Sequence, residues 1–213
     1  MTIKLHVFPL SPRGFKVLFA ANHIGIPYEM VFVNFATNDQ KTPEYTSRLN
    51  ANQRMPVLED GDFVLWESNA IVQYLASLKP DSGLLPADPK DRATAVKWQF
   101  WESCHWDPAC AVFMFERVVK PLFGRGQADP AEIKRGEDLM ARLGPVLDGQ
   151  LQKTRFLAGD KLTVADLSLG STFASAEQAQ FPLEPYRGIY RWLTEIQALP
   201  AWAKTKAMQV PPR

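Results

Sequence analysis

The sequence predicts a chain in two parts, an α/β unit of order βαβ-ββα followed by an all-helical unit, and three observations carry that reading. Strand and helix signals alternate over residues 1–80. A stretch rich in Pro, Asp and Gly, KPDSGLLPADPKDR, then reads as a connection between compact units. Beyond it come long helical periodicities and no convincing strand. The expected boundaries are a first domain at 1–80, a linker at 81–91 and a helical domain at 92–213.

Each element has its own local justification. IKLHVF puts Ile3, Leu5 and Val7 on one face of a strand, and YEMVFV is a second β-branched and aromatic run. Between them lies SPRGFK, in which Ser11 is the natural helix cap and Pro12 the first helical residue, whose missing amide proton costs nothing there. Val17, Leu18, Ala21 and Ile24 then recur at helical spacing, with Gly25 and Pro27 as stop signals. PVLE and FVLW flank Asp60-Gly61-Asp62, a hairpin signal. Ser68 is expected to cap NAIVQYLASL, whose apolar stripe is Ile71, Tyr74, Leu75 and Leu78.

The helical unit follows in four runs: ATAVKWQFWESCHW, AEIKRGEDLMARLGPVLDGQLQ, VADLSLGSTFASAEQ and IYRWLTEIQ. Thr163-Val164-Ala165-Asp166 has the form of a capping box with Leu162 as its staple, which gives Asp166 a structural rather than a catalytic part. KWQFWESCHWDPACAVFMF is unusually aromatic. On a regular helix Trp98, Trp101, Trp106, Phe113 and Phe115 cannot all face one core stripe, so some are expected to line a cleft.

Composition narrows the function. With 24 Lys plus Arg against 23 Asp plus Glu, the net charge of +1 gives no general attraction to phosphate backbones or anionic membranes. Nucleic acid and membrane are therefore not expected partners. The two cysteines, Cys104 and Cys110, sit on a helical run at a spacing that does not favour a disulfide, and they read as reduced packing residues. No secretory leader and no spanning apolar run is evident, so a cytoplasmic protein is expected.

Three junctions carry chemistry. The helix begun at Ser11-Pro12 offers free amides and a partial positive charge, which would stabilise a sulfur anion. Met55-Pro56 opens an apparent strand with a residue that cannot donate to a ladder; a cis bond there would turn the Met55 backbone groups outward toward an extended peptide. Glu67-Ser68 puts a carboxylate and a hydroxyl at a third helix start, suited to a ligand bearing both an ammonium and a carboxylate.

In order and spacing, SPRGFKVLFAANHIGIPYE, NQRMPVLEDGDFVLWESNAIVQYL and FLAGDKLTVADLSL resemble the cytosolic glutathione transferases over essentially the whole chain, in a bacterial-type form with a serine active site. The resemblance implies a thioredoxin-like domain followed by an all-helical one. It implies that Ser11 donates to the glutathione sulfur, that Glu67 and Ser68 hold the γ-glutamyl end, and that the Met55 backbone before Pro56 pairs with the cysteinyl unit. Lys41 and Arg54 would meet the glycyl carboxylate, a solvated surface lysine being the alternative for Lys41. The helical domain would contribute a hydrophobic electrophile's pocket, with Leu10, Arg13, Trp101, His105, Trp106 and Phe113 as candidates; Arg13 is also a possible second donor to the sulfur. Glutathione is the implied co-substrate, no metal is implied, and a homodimer is expected.

The chemistry fits these residue types. A thiol of pKa near 8.5 is mostly protonated at neutral pH, and only the thiolate is a useful nucleophile. A hydroxyl donor and a helix start both favour the anion, each tenfold gain in acidity being worth about 1.4 kcal/mol. Residues 11–16 hold no cysteine, and no tyrosine occurs before Tyr28, so Ser11 is the candidate donor. Glutathione-dependent peroxide or disulfide reduction, and a non-catalytic glutathione-binding or scaffold role, are the alternatives.

Overall fold

The computed structural model describes residues 2–209. It forms two compact units, Met1–Leu85 with Ala198–Arg213, and Pro86–Gln197. The first contains β1 (Ile3–Val7), α1 (Pro12–Ile24), β2 (Tyr28–Phe32), a 3-10 turn at Asp39–Lys41, α2 (Pro43–Arg48), β3 (Val57–Asp60), β4 (Phe63–Trp66) and α3 (Ser68–Ser77). One sheet of order β2-β1-β3-β4 results. Strand β1 runs parallel to β2 and antiparallel to β3, and β3 is antiparallel to β4.

The pleat sorts β1 as its alternation predicts: Leu5 and Val7 are wholly buried in the core. His6, between them, faces the other way, with Nε2 at 2.6 Å from Glu59 Oε1 and its ring edge-on to Tyr45 of α2. Helix α1 ends at Gly25, whose φ of 75 supplies the left-handed turn expected of it. Helix α3 differs from expectation in two respects. Glu67, not Ser68, occupies its N-cap position, and Ser68 is the first helical residue. Its buried set is Ile71, Val72, Leu75 and Ala76, while Leu78 is exposed beyond the last turn and Tyr74 turns its hydroxyl to Asp60 Oδ2 at 2.7 Å.

The second unit contains α4 (Pro89–Trp101), a π-helical turn at Glu102–Trp106, α5 (Asp107–Met114), a second π turn at Phe115–Val119, α6 (Lys120–Leu122), α7 (Pro130–Leu151), α8 (Val164–Ser171) and α9 (Arg187–Gln197). A π turn inserts one residue and rotates the helix face that follows it. Trp98, Trp106 and Phe113 share the inner face, at 5%, 0% and 0% exposure, while Trp101 is half-buried and Phe115 is 41% exposed. The five rings thus divide between inner and outer faces, as their helical spacing predicts. Cys110 is buried, but Cys104 falls on the outer side of the first π turn and is exposed rather than packed; both are free thiols.

The capping box of α8 is present, with Asp166 wholly buried. Helix α10 (Pro200–Lys206) returns to the first unit. Trp202 packs edge-on to Phe15 and Phe19 of α1, at ring separations of 4.9 and 5.5 Å, and Asn22 donates to Thr205 Oγ1. The sequence placed all of 92–213 in one helical domain, because nothing local distinguishes a helix that packs on distant α1.

Candidate active site

Register brings the three chemical junctions together. His6, Val57 and Trp66 form one row across β1, β3 and β4. Just beyond that row β1 leaves toward Ser11, β3 begins after Met55-Pro56, and β4 leaves toward Glu67-Ser68. All three therefore lie at one end of the sheet, and α1 and α3 both start there.

Ser11 is at the N-cap of α1 in extended conformation, yet its side chain makes no capping hydrogen bond. Its backbone is fixed on both sides: its amide donates to Phe8 O at 2.9 Å, and its carbonyl accepts from Phe15 N at 2.8 Å. The hydroxyl is thus held in place without being used by the cap. Gly14 makes this possible. A Cβ at residue 14 would stand 2.4 Å from the Phe8 carbonyl oxygen, a backbone atom that cannot swing aside. Gly14→Ala is expected to push the 8–11 loop off α1, destabilise the fold by about 1–3 kcal/mol as overpacking does, and lower turnover in the folded fraction. Wild-type melting and turnover would show that the loop yields freely.

The next segment is anchored from two sides. The Phe8 amide donates to Met55 Sδ at 3.1 Å, tying the Ser11 loop to the start of β3. The Met55-Pro56 peptide is cis. The preceding carbonyl, that of Arg54, accepts from Tyr45 Oη at 2.8 Å and from Asn50 Nδ2 at 3.1 Å. Burial pushes the Tyr45 hydroxyl far above its ordinary pKa, so it remains a donor at every ordinary pH. Gln53 holds a φ of 56, a left-handed conformation uncommon outside glycine. Removing one of two buried donors costs about 1 kcal/mol. Tyr45→Phe is therefore expected to raise the KM for glutathione about fivefold with kcat little changed; an unchanged KM would detach this clamp from ligand binding.

At the third junction Glu67 has φ 73 and ψ 112, a strained backbone of the kind that persists only where its surroundings enforce it. Its side chain makes no capping bond and is exposed, whereas Ser68 is buried. The first amides of α3 have no acceptor within the helix, and the first turn carries no acidic residue to meet them. Such a terminus favours an anion.

The remaining candidates separate. Lys41 and Arg54 are exposed, as is Arg13 on the first turn of α1, and Leu10 is half-buried. In the second unit Trp101 is half-buried and His105 exposed. Trp106 and Phe113 are wholly buried core residues and offer no surface to an electrophile, which corrects their assignment to a pocket. Trp106 Nε1 donates inward to Thr172 Oγ1 at 3.0 Å.

Sequence reasoning missed Gln40, Tyr45, Asn50, Gln53 and Gly14. Gln40 is buried, and its Oε1 has no hydrogen-bond partner among the described residues. Two signals were available. A glycine in the first turn of a helix is about 1 kcal/mol worse than alanine there, which points to a close approach. Asn50, two residues before Asn52, has the spacing of an Asx turn, and the Asn52 amide does donate to Asn50 Oδ1 at 2.9 Å.

A four-stranded sheet with α1 and α3, an outward cis-proline junction and a following helical unit define a thioredoxin-like domain joined to an all-helical one. Family models agree: the glutathione S-transferase N-terminal domain matches residues 1–77 and the C-terminal domain residues 106–200. Glutathione S-transferase 3 of Zea mays is 34% identical, covering 99% of this chain and 96% of its own. A glutathione S-transferase of Hyoscyamus muticus is 32% identical over 96% of this chain and 97% of its own. The solved structure of maize glutathione S-transferase I in complex with an atrazine glutathione conjugate superposes with a TM-score of 0.89 at 28% identity, covering 100% of both chains. The chain belongs to the glutathione S-transferase family. These relatives are plant proteins, so the bacterial type read from the sequence finds no support in them.

Proposed function

We propose that this chain is a glutathione transferase in which the Ser11 hydroxyl stabilises the glutathione thiolate for attack on a hydrophobic electrophile. The observation that carries the reading is a serine at a helix start whose hydroxyl is not used as a cap, at the same sheet end as Met55-Pro56 and Glu67-Ser68. The uncommitted hydroxyl and the free amides suit an anionic sulfur. Glu67 and Ser68 suit the γ-glutamyl ammonium and carboxylate, and the Met55 backbone suits the cysteinyl unit. The exposed cations Lys41 and Arg54 suit the glycyl carboxylate.

The reaction then balances simply. The thiol proton leaves to solvent, the thiolate sulfur forms a C–S bond at the electrophilic carbon, and the leaving group departs with its electron pair. Ser11 donates throughout and never ionises. Of the candidates for the electrophile's pocket in the second unit, Trp101 and His105 are the ones with exposed surface.

The test is conjugation of glutathione to an activated aryl chloride, alongside ultraviolet titration of enzyme-bound glutathione. A conjugation rate well above the uncatalysed one and a bound thiolate near neutrality are expected. No binding of glutathione, or a bound thiol still protonated near neutrality, would defeat the reading. A parallel assay with an organic peroxide separates conjugation from reduction. We also take the protein to act in the cytoplasm as a homodimer: Phe63 and Trp66 of the edge strand β4 are 47% and 42% exposed, an apolar edge suited to a second copy. A monomeric mass by light scattering would remove that part.

A further inference from the structure

Lysine is almost never fully buried unless it is paired. Lys16 nevertheless lies on the inner side of α1 at 2% exposure. Its Nζ donates to Asn69 Oδ1 at 3.1 Å. Asn69 is the second residue of α3, directly after the strained Glu67 and the buried Ser68, and Lys16 is little more than one turn along α1 from Ser11. The bond therefore joins the helix that carries the expected sulfur donor to the turn that carries the expected γ-glutamyl contacts.

From this geometry we infer that Lys16 is a positioning residue for glutathione: through Asn69 it holds the Glu67-Ser68 turn in register with Ser11. The inference rests on the function proposed above and extends it to a residue that touches neither the sulfur nor the electrophile. A left-handed Glu67 needs its neighbours to enforce it. The α1–α3 packing fixes the axis of α3, and the bond to Asn69 adds a directed contact at its first turn. An apolar residue at position 16 would fill the space without supplying that direction.

The experiment compares Lys16→Met, Lys16→Arg and Asn69→Ala with wild type, measuring KM for glutathione and kcat at saturating aryl chloride. Lys16→Met is expected to raise the KM for glutathione about tenfold, the effect of one charge-assisted hydrogen bond, with kcat within about twofold. Lys16→Arg, which keeps a cationic donor, is expected to recover most of that loss. Asn69→Ala is expected to reproduce it with the lysine in place, and it reads the same contact should Lys16→Met not fold. A merely structural lysine would lower stability and leave the KM of the folded fraction at the wild-type value; that result, or equal KM values for Lys16→Met and Lys16→Arg, overturns the inference while wild type still turns over. A wild type that does not bind glutathione overturns the proposed function and this inference together.

Discussion

Asp166→Asn is expected to destabilise the protein nearly as much as Asp166→Ala, by about 3–5 kcal/mol, and to lower its melting temperature by about 10 °C. The carboxylate is wholly buried, and each oxygen accepts twice. Oδ1 takes the Leu157 amide at 2.9 Å and Trp192 Nε1 at 3.0 Å; Oδ2 takes the Thr163 amide at 2.9 Å and Thr163 Oγ1 at 3.1 Å. An asparagine must present its NH2 group to one of those pairs, whichever way it is turned. Alanine leaves the three N–H donors without acceptors, each costing about 1–3 kcal/mol. A simple helix-cap deletion would cost only about 1 kcal/mol. Denaturant unfolding followed by tryptophan fluorescence measures the difference, and an Asn variant within about 1 kcal/mol of wild type would refute the four-donor account.

The same residue has a defined pH signature. Burial raises the Asp166 pKa, the four donors opposing it without cancelling it. Its folded value therefore lies above its unfolded value of 3.8, and the folded state binds the proton more tightly. This group's contribution to stability is fully present below the unfolded pKa and is lost as pH rises through the folded pKa.

How much of this was legible depended on how local the cause was. The helix start after Ser11, the stop at Gly25, the Thr163 cap and the hairpin at Gly61 are determined by a few adjacent residues, and they stand where the sequence put them, although the Ser11 side chain makes no capping bond. The Ser68 cap was misplaced by one residue because glutamate takes the N-cap in a conformation that backbone preferences disfavour. The two π turns were illegible, because helical periodicity makes no allowance for an inserted residue. The return of Trp202 to α1 was illegible for a related reason, since its partners Phe15 and Phe19 are far away in sequence. At the candidate site, the residues with unusual chemistry were visible. Those that hold them, Gly14, Lys16, Tyr45 and Asn50, look ordinary until the register of the sheet assembles them.

Ser11→Ala is expected to lower kcat/KM about 100-fold, the scale of losing one donor to a developing or stored anion, while leaving stability within about 0.5 kcal/mol of wild type. The second half of that expectation is the sharper. A serine that caps a helix through its side chain loses about 1 kcal/mol on truncation. Here the side chain makes no such bond, and the backbone contacts to Phe8 and Phe15 survive the change. The pH profile shows where the lost activity goes. Without the hydroxyl the bound thiol is a weaker acid, about 10- to 100-fold, if about 1.4–2.8 kcal/mol of anion stabilisation is removed. The thiolate fraction at neutral pH falls by less than that factor, since the wild-type thiol is ionised there already, and the variant regains rate with rising pH, by about tenfold per step of one pH well below the new pKa. Wild type, already ionised, stays flat over that range. A variant that melts about 1 kcal/mol lower but keeps its turnover and a flat profile would make Ser11 a cap, and the sulfur's donor would have to be sought at Arg13 or among the α1 amides.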